Sequence, residues 1–223
     1  MKKLILSAIT VTMLLMSCQK ESLVKEIKDE TNFSIRLIDI NDGELSFKNN
    51  LLSENYAMCV ESLNEETNTY TVRYFEDVDQ LYIYSLNNAQ YFETKKNIEA
   101  IRAIQEVVIN NGDFLLENPS EENLSKETID ILNNYGYNSA GKTNGIAILF
   151  DNSNQTGQSF GIHGTPLPTF GSFRNKASSG ISFGLGNFAC TKLWWKGRWI
   201  SFLVSGPFNL QLINFNNDLE SGF

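Results

Sequence analysis

Ile148-Leu149-Phe150-Asp151-Asn152-Ser153-Asn154-Gln155-Thr156-Gly157 is the stretch whose reading decides the carboxy-terminal fold. A short apolar run ends on an aromatic, and a glycine stands seven residues after Phe150 across a polar segment. That spacing suits a folded β-hairpin, because glycine reaches the positive φ such a turn demands. Downstream, Arg174-Asn175-Lys176-Ala177-Ser178-Ser179 gathers amide and hydroxyl side chains. A degraded second copy follows, with Leu193-Trp194-Trp195-Lys196-Gly197 as a shortened hairpin and Asn217-Asp218-Leu219-Glu220-Ser221-Gly222 as its closing segment. The step from Phe150 to Arg174 is 24 residues and that from Trp194 to Asn217 is 23, a similarity that supports a repeat.

These segments resemble the βγ-crystallin double Greek key. Its repeat opens on an aromatic, sets a glycine seven residues on, and closes on Asn/Asp-Asn/Asp-x-x-Ser/Thr-Ser. The resemblance covers residues 144–223 and departs from the pattern at Gln155, Arg174 and Gly222. It implies an antiparallel sandwich with paired Ca²⁺ sites at one end. The side-chain ligands it implies are Asn175, Ser178, Asp218 and Ser221. Calcium takes six to eight hard oxygens, and here only Asp218 is charged, while Arg174 sets a fixed cation nearby. The alternative is that these amides and hydroxyls hold their loops by bonding backbone groups.

Around these motifs, Gly, Ser, Asn, Phe and Trp are enriched and helical periodicity is lost. Short apolar runs at Ile146–Phe150, Gly180–Leu185, Cys190–Trp195, Trp199–Val204 and Leu210–Phe215 are candidate strands. Trp194, Trp195 and Trp199 are binding candidates, since exposed tryptophans stack on sugars or partner proteins. The competing reading, which we favour, places them in the core or against the first half. Cys59 and Cys190 could form one disulfide or remain buried thiols, and neither lies in a CxxC or zinc-like spacing.

The preceding half reads as mixed α and β. Gly43–Phe47 and Tyr70–Phe75 alternate as half-buried strands do. Leu52, Tyr56, Cys59, Val60 and Leu63 share one face at helical spacing, with Ser53 as cap. Val78–Leu86 looks helical, although Leu81–Tyr84 alone could be a strand, and Ile98–Val108 is an expected helix that stops at Asn110-Asn111-Gly112. Ser125 is the expected N-cap of another, with Leu124 and Ile129 as its hydrophobic staple and Gly136 as its end. Residues 139–143 are a small-residue linker. The expected fold class is α+β: a mixed domain over 33–138, then an all-β Greek-key sandwich over 144–223.

Residues 1–17 are an export signal, with Lys2 and Lys3 before an apolar run from Leu4 to Met16 that is too short to span a bilayer. Leu15-Met16-Ser17-Cys18 resembles the lipobox of bacterial lipoproteins. The resemblance implies acylation at Cys18 and anchoring by several acyl chains. Gln19 in place of Asp favours the outer membrane, and Cys18-Gln19-Lys20-Glu21 resembles a short surface-export signal. Residues 18–32 are charged and form a tether.

Formal charge is −8; loss of the signal removes two lysines and no acid, giving −10. Such a chain is a poor partner for nucleic-acid phosphate, so no nucleic-acid role is expected. No catalytic residue stands out: His163 is the only histidine, and no triad or HExxH pattern occurs. The expected role is a binding or structural module of the envelope, with an extracellular protein or glycan as partner. The alternatives are a secreted-peptidase inhibitor, using a protruding loop at Gly161–Phe173 stiffened by Pro166 and Pro168, and a hydrolase with an interdomain cleft.

Overall fold

The computed structural model describes residues 33–46, 54–120, 122–137, 147–162, 166–183, 187–210, 212 and 214–222. The signal, Cys18, the tether, Leu52, Ser53, the 139–143 linker and His163 lie outside them.

Burial along one strand explains the architecture. In β3 (Ala57–Asn64), Ala57 and Cys59 face one side and Met58 and Val60 the other, and all four are buried. A strand covered on both faces loses its apolar–polar alternation. That is why 52–63 imitates a helix: Tyr56, Cys59, Val60 and Leu63 are apolar because two cores need them. The expected helix is a central strand instead.

β3 pairs antiparallel with β4 (Thr69–Phe75), with a bulge between Val60 and Ser62. It pairs parallel with β9 (Lys196–Phe202), Met58 opposite Ile200. Outward from these lie β1 (Ser34–Ile38) and β2 (Glu44–Leu45) on one side. On the other lie β8 (Asn187–Lys192) and β11 (Ser221–Gly222). The full order is β11-β8-β9-β3-β4-β1-β2.

Three helices cover one face of this sheet. α1 (Val78–Leu86) starts at Asp77, whose side chain accepts from the Gln80 amide. α2 (Phe92–Asn110) buries Ile98, Ile101, Ile104 and Val108, as the periodicity predicts. α3 (Lys126–Asn134) is capped by Ser125, whose Oγ accepts from the Thr128 amide at 3.2 Å; Leu124 and Ile129 both join the core beneath. Its last helical residue is Asn134, two short of Gly136, which takes φ +97°.

The other face packs on an antiparallel sheet of order β10-β7-β5-β6. These are β5 (Ala147–Phe150), β6 (Ser159–Ile162), β7 (Ser179–Ser182) and β10 (Gly206–Asn209). The chain is α+β, in three layers: helices, a seven-stranded mixed sheet, and a four-stranded antiparallel sheet.

The expected domain boundary at 139–143 does not divide the fold. β3 and β9 come from opposite sides of it and exchange main-chain hydrogen bonds, and residues 33–223 form one compact unit. Composition changes there because the chain turns to short antiparallel strands, not because a core is complete. Among the described residues of Leu210–Phe215 there is no strand either. Leu210 and Phe215 are buried anchors of a turn closed by Phe215 N to Leu210 O at 2.9 Å, and the strand lies just before them.

Candidate functional site

Two hairpins in this fold are built alike. Between β5 and β6, Asp151 Oδ1 accepts from the Gln158 amide at 2.8 Å, and Gly157 takes φ +85°. A Cβ on Gly157 would stand 2.0 Å from that same oxygen, so only glycine fits. Gln155 is left-handed and its amide donates to Ser179 Oγ at 3.0 Å, while Ser179 Oγ donates to the Asn152 carbonyl at 2.6 Å.

Between β8 and β9 the same bonds recur, the hairpin residues forty positions later and the closing serine forty-two. Thr191 Oγ1 accepts from the Arg198 amide at 3.0 Å, and Gly197 takes φ +74°. Trp195 is left-handed and its amide donates to Ser221 Oγ at 3.1 Å; Ser221 Oγ donates to the Lys192 carbonyl at 2.7 Å.

The repeat is therefore present, but in a different register from the expected one. The second hairpin is full length, with Cys190 where Phe150 stands and Trp195 where Gln155 stands. Its closing segment is Asn216–Ser221, one residue earlier, so Ser221 matches Ser179 and Glu220 matches Ser178. Trp194-Trp195 imitates the opening aromatic of the repeat, and counting from Trp194 therefore gives the wrong register.

The two closing segments meet around a local two-fold. Asn175 N donates to Leu219 O at 2.9 Å, and Asn217 N donates to Ala177 O at 2.7 Å. Asn175 and Asn217 both take positive φ, which asparagine tolerates. Asn175 Nδ2 donates to Glu220 Oε1 at 3.1 Å, and Ser178 Oγ donates to Asn217 Oδ1 at 3.0 Å.

Two arginines attend this crossing. Arg174 Nη2 donates to Glu220 Oε2 at 3.3 Å, and Glu220 Oε2 also accepts from the Leu193 amide. Arg198 is ion-paired with Asp218, donates to Tyr56 Oη at 2.9 Å and to Asn214 O at 2.7 Å, and lies 5.0 Å from the centre of the Phe215 ring.

The side chains of the four expected calcium ligands are each engaged in contacts within the protein. Asn175 and Ser178 meet the opposite loop, Asp218 faces Arg198, and Ser221 is fully buried inside its hairpin with its hydroxyl engaged twice. Among the described residues no group of three His, Cys, Asp or Glu side chains is placed to hold a metal ion.

Other expectations are corrected by position. Cys59 and Cys190 are free, buried thiols. β9 runs between their strands, so they stand two strand spacings apart, about 9.5 Å, beyond the ~7 Å a disulfide tolerates. Burial pushes both thiols well up from their ordinary pKa, so they are inert.

Trp194, Trp195 and Trp199 are 1%, 1% and 5% exposed and lie under the helices, which removes them as a binding surface. Both indole N–H groups of the adjacent pair donate to backbone, Trp194 to Leu116 O and Trp195 to Gly222 O. The 161–173 loop does not protrude over its described part. Leu167 pairs both ways with Gly222, Pro168 O accepts from the Trp194 amide, and Phe170 is buried.

One cluster escaped the sequence. Arg73, 5% exposed, donates from Nε to Glu61 Oε1 at 2.5 Å, from Nη1 to Asp39 O at 2.5 Å and from Nη2 to Asp42 Oδ1 at 2.8 Å. Tyr91 Oη donates to Glu61, and burial, followed by the nearby Cys59 and Glu61, raises its pKa. Burial opposes the Arg73 charge, yet Glu61 and Asp42 more than restore it. The only signal was a charge alternating with apolar residues in Tyr70–Phe75, which reads as a solvent face until helices cover it. All five donors of a guanidinium favour such planar recognition. Here it ties the β1–β2 turn to the sheet.

No protein-family model, curated protein or solved structure matches this chain.

Proposed function

We propose that the chain is a lipid-anchored protein of a bacterial outer membrane, displayed toward the cell surface, whose folded body is a binding or structural module for an extracellular protein or glycan. The observation that carries this reading is Leu15-Met16-Ser17-Cys18 closing an apolar run that begins after Lys2-Lys3. Acyl chains on one cysteine, each contributing about 0.8 kcal/mol per buried CH₂, hold a protein at a membrane without a spanning helix. Among the described residues no helix is long and apolar enough to cross one.

The body supports a module in which polar groups serve the fold. Arg73 and Glu61 pair with each other, Asp113 clamps Ser125, and Ser179 and Ser221 each lock a hairpin. Arg73, Asp113, Ser179 and Ser221 are buried and brace the scaffold from within, and a braced scaffold is what positions surface loops for recognition.

The test is Cys18→Ala. The wild-type protein is expected to carry acyl mass and to partition into detergent, whereas the variant should remain in the aqueous phase. Unchanged mass and partitioning would remove the anchor. Protease shaving of intact cells then reads display: loss of the protein from intact cells is expected, and full protection would place it facing inward.

A further inference from the structure

We infer that the crossing of the two closing segments is fastened by the chain's own guanidinium groups, Arg174 across Glu220 and Arg198 across Asp218, and that no divalent cation is required there. The crystallin resemblance implies calcium at this place, and the side chains present do not fit it. Ser221 is fully buried, and its hydroxyl already accepts from the Trp195 amide and donates to the Lys192 carbonyl. Ser178 is tied to Asn217. Both carboxylates at the crossing already face an arginine.

The arginines also tie the crossing to its neighbours. Arg198 joins the second segment to the central sheet through Tyr56 Oη and to the 210–215 turn through Asn214 O. Arg174 reaches the segment after α2 through Glu117 O at 3.2 Å and Asn118 Oδ1 at 3.5 Å. The side chains of Arg174 and Glu220 are 29% and 16% exposed, so that pair is screened less than a surface pair; Asp218 is 43% exposed, and its pair is held chiefly from the Arg198 side, which is 17% exposed. A divalent cation entering here would meet fixed positive charge at each carboxylate, and Coulomb repulsion opposes it.

The experiment is thermal melting of the purified protein in millimolar calcium and in chelator, together with Arg198→Met, Asp218→Asn and the double variant. The wild-type midpoint is expected to be the same in both buffers. Arg198→Met should lower it by about 5 °C, using the 2–4 °C per kcal/mol of a domain this size. The double variant should fall short of the summed single effects, because the two residues act as a pair. A wild-type midpoint raised by calcium overturns the inference. So does strict additivity of Arg198→Met and Asp218→Asn. Should Arg198→Met fail to fold, the calcium comparison on the wild-type protein decides alone. None of these readings depends on the Cys18 anchor.

Discussion

Tyr70 is buried against the four-stranded sheet, and its hydroxyl finds no partner among the described residues. Burial pushes its pKa up to about 12. An unmade buried hydrogen bond costs about 1–3 kcal/mol, so Tyr70→Phe is expected to stabilise the protein by about 1 kcal/mol, read as a higher urea midpoint at unchanged slope. Asp113 shows the opposite situation. Burial pushes its carboxyl up, but hydrogen bonds from Ser125, N at 2.9 Å and Oγ at 2.6 Å, outweigh this and hold it below its usual value. A depressed carboxyl stabilises the fold above the unfolded pKa, and that stability is lost as pH falls through the folded one. Asp113→Asn should therefore cost about 1.5–3 kcal/mol at neutral pH, and the gap to the wild-type protein should narrow below about pH 4. Neither residue was legible as special. Tyr70 read as one apolar position in a strand, and Asp113 sits in a segment without periodicity, where only its contact with the α3 cap gives it meaning.

At the scale of elements, the three helices were legible because each has one buried stripe and two have side-chain caps, Asp77 and Ser125. β3 was not, because strands buried on both faces and helix stripes place apolar residues at overlapping positions. β10 was hidden by Gly206-Pro207, residues that usually mark turns, though it pairs fully with β7. The hairpin glycines were half legible: Gly157 was found from Phe150, whereas the second copy was read from the wrong aromatic. The matched bonding makes a matched prediction. Ser179→Ala and Ser221→Ala each leave one amide and one carbonyl without their hydroxyl partner, and each should lower stability by about 2 kcal/mol in denaturant unfolding. An effect confined to one of them would show that the hairpins are alike in shape only.

At the scale of the molecule, the seven-stranded sheet makes the two compositional halves inseparable. The β3–β9 pairing joins them through the backbone, and Trp195 and Trp199 are covered by helices from the other half. Fragments 33–138 and 144–223 expressed apart are expected to lack native near-ultraviolet circular dichroism, and the intact protein should unfold in one calorimetric transition whose van't Hoff and calorimetric enthalpies agree. Two resolved transitions would contradict the shared sheet. Fold class was readable from the chain, since mixed periodicities followed by short strands mean α+β, but the layer arrangement was not, because parallel pairing between distant strands leaves no local mark.

Residues 216–222 lock the second hairpin, form one edge of the large sheet and receive the indole proton of Trp195. A chain without them would leave the outer edge of β8 unpaired, the second hairpin unlatched, and both the amide and the indole of Trp195 without acceptors, so the rim of the sheet depends on seven residues.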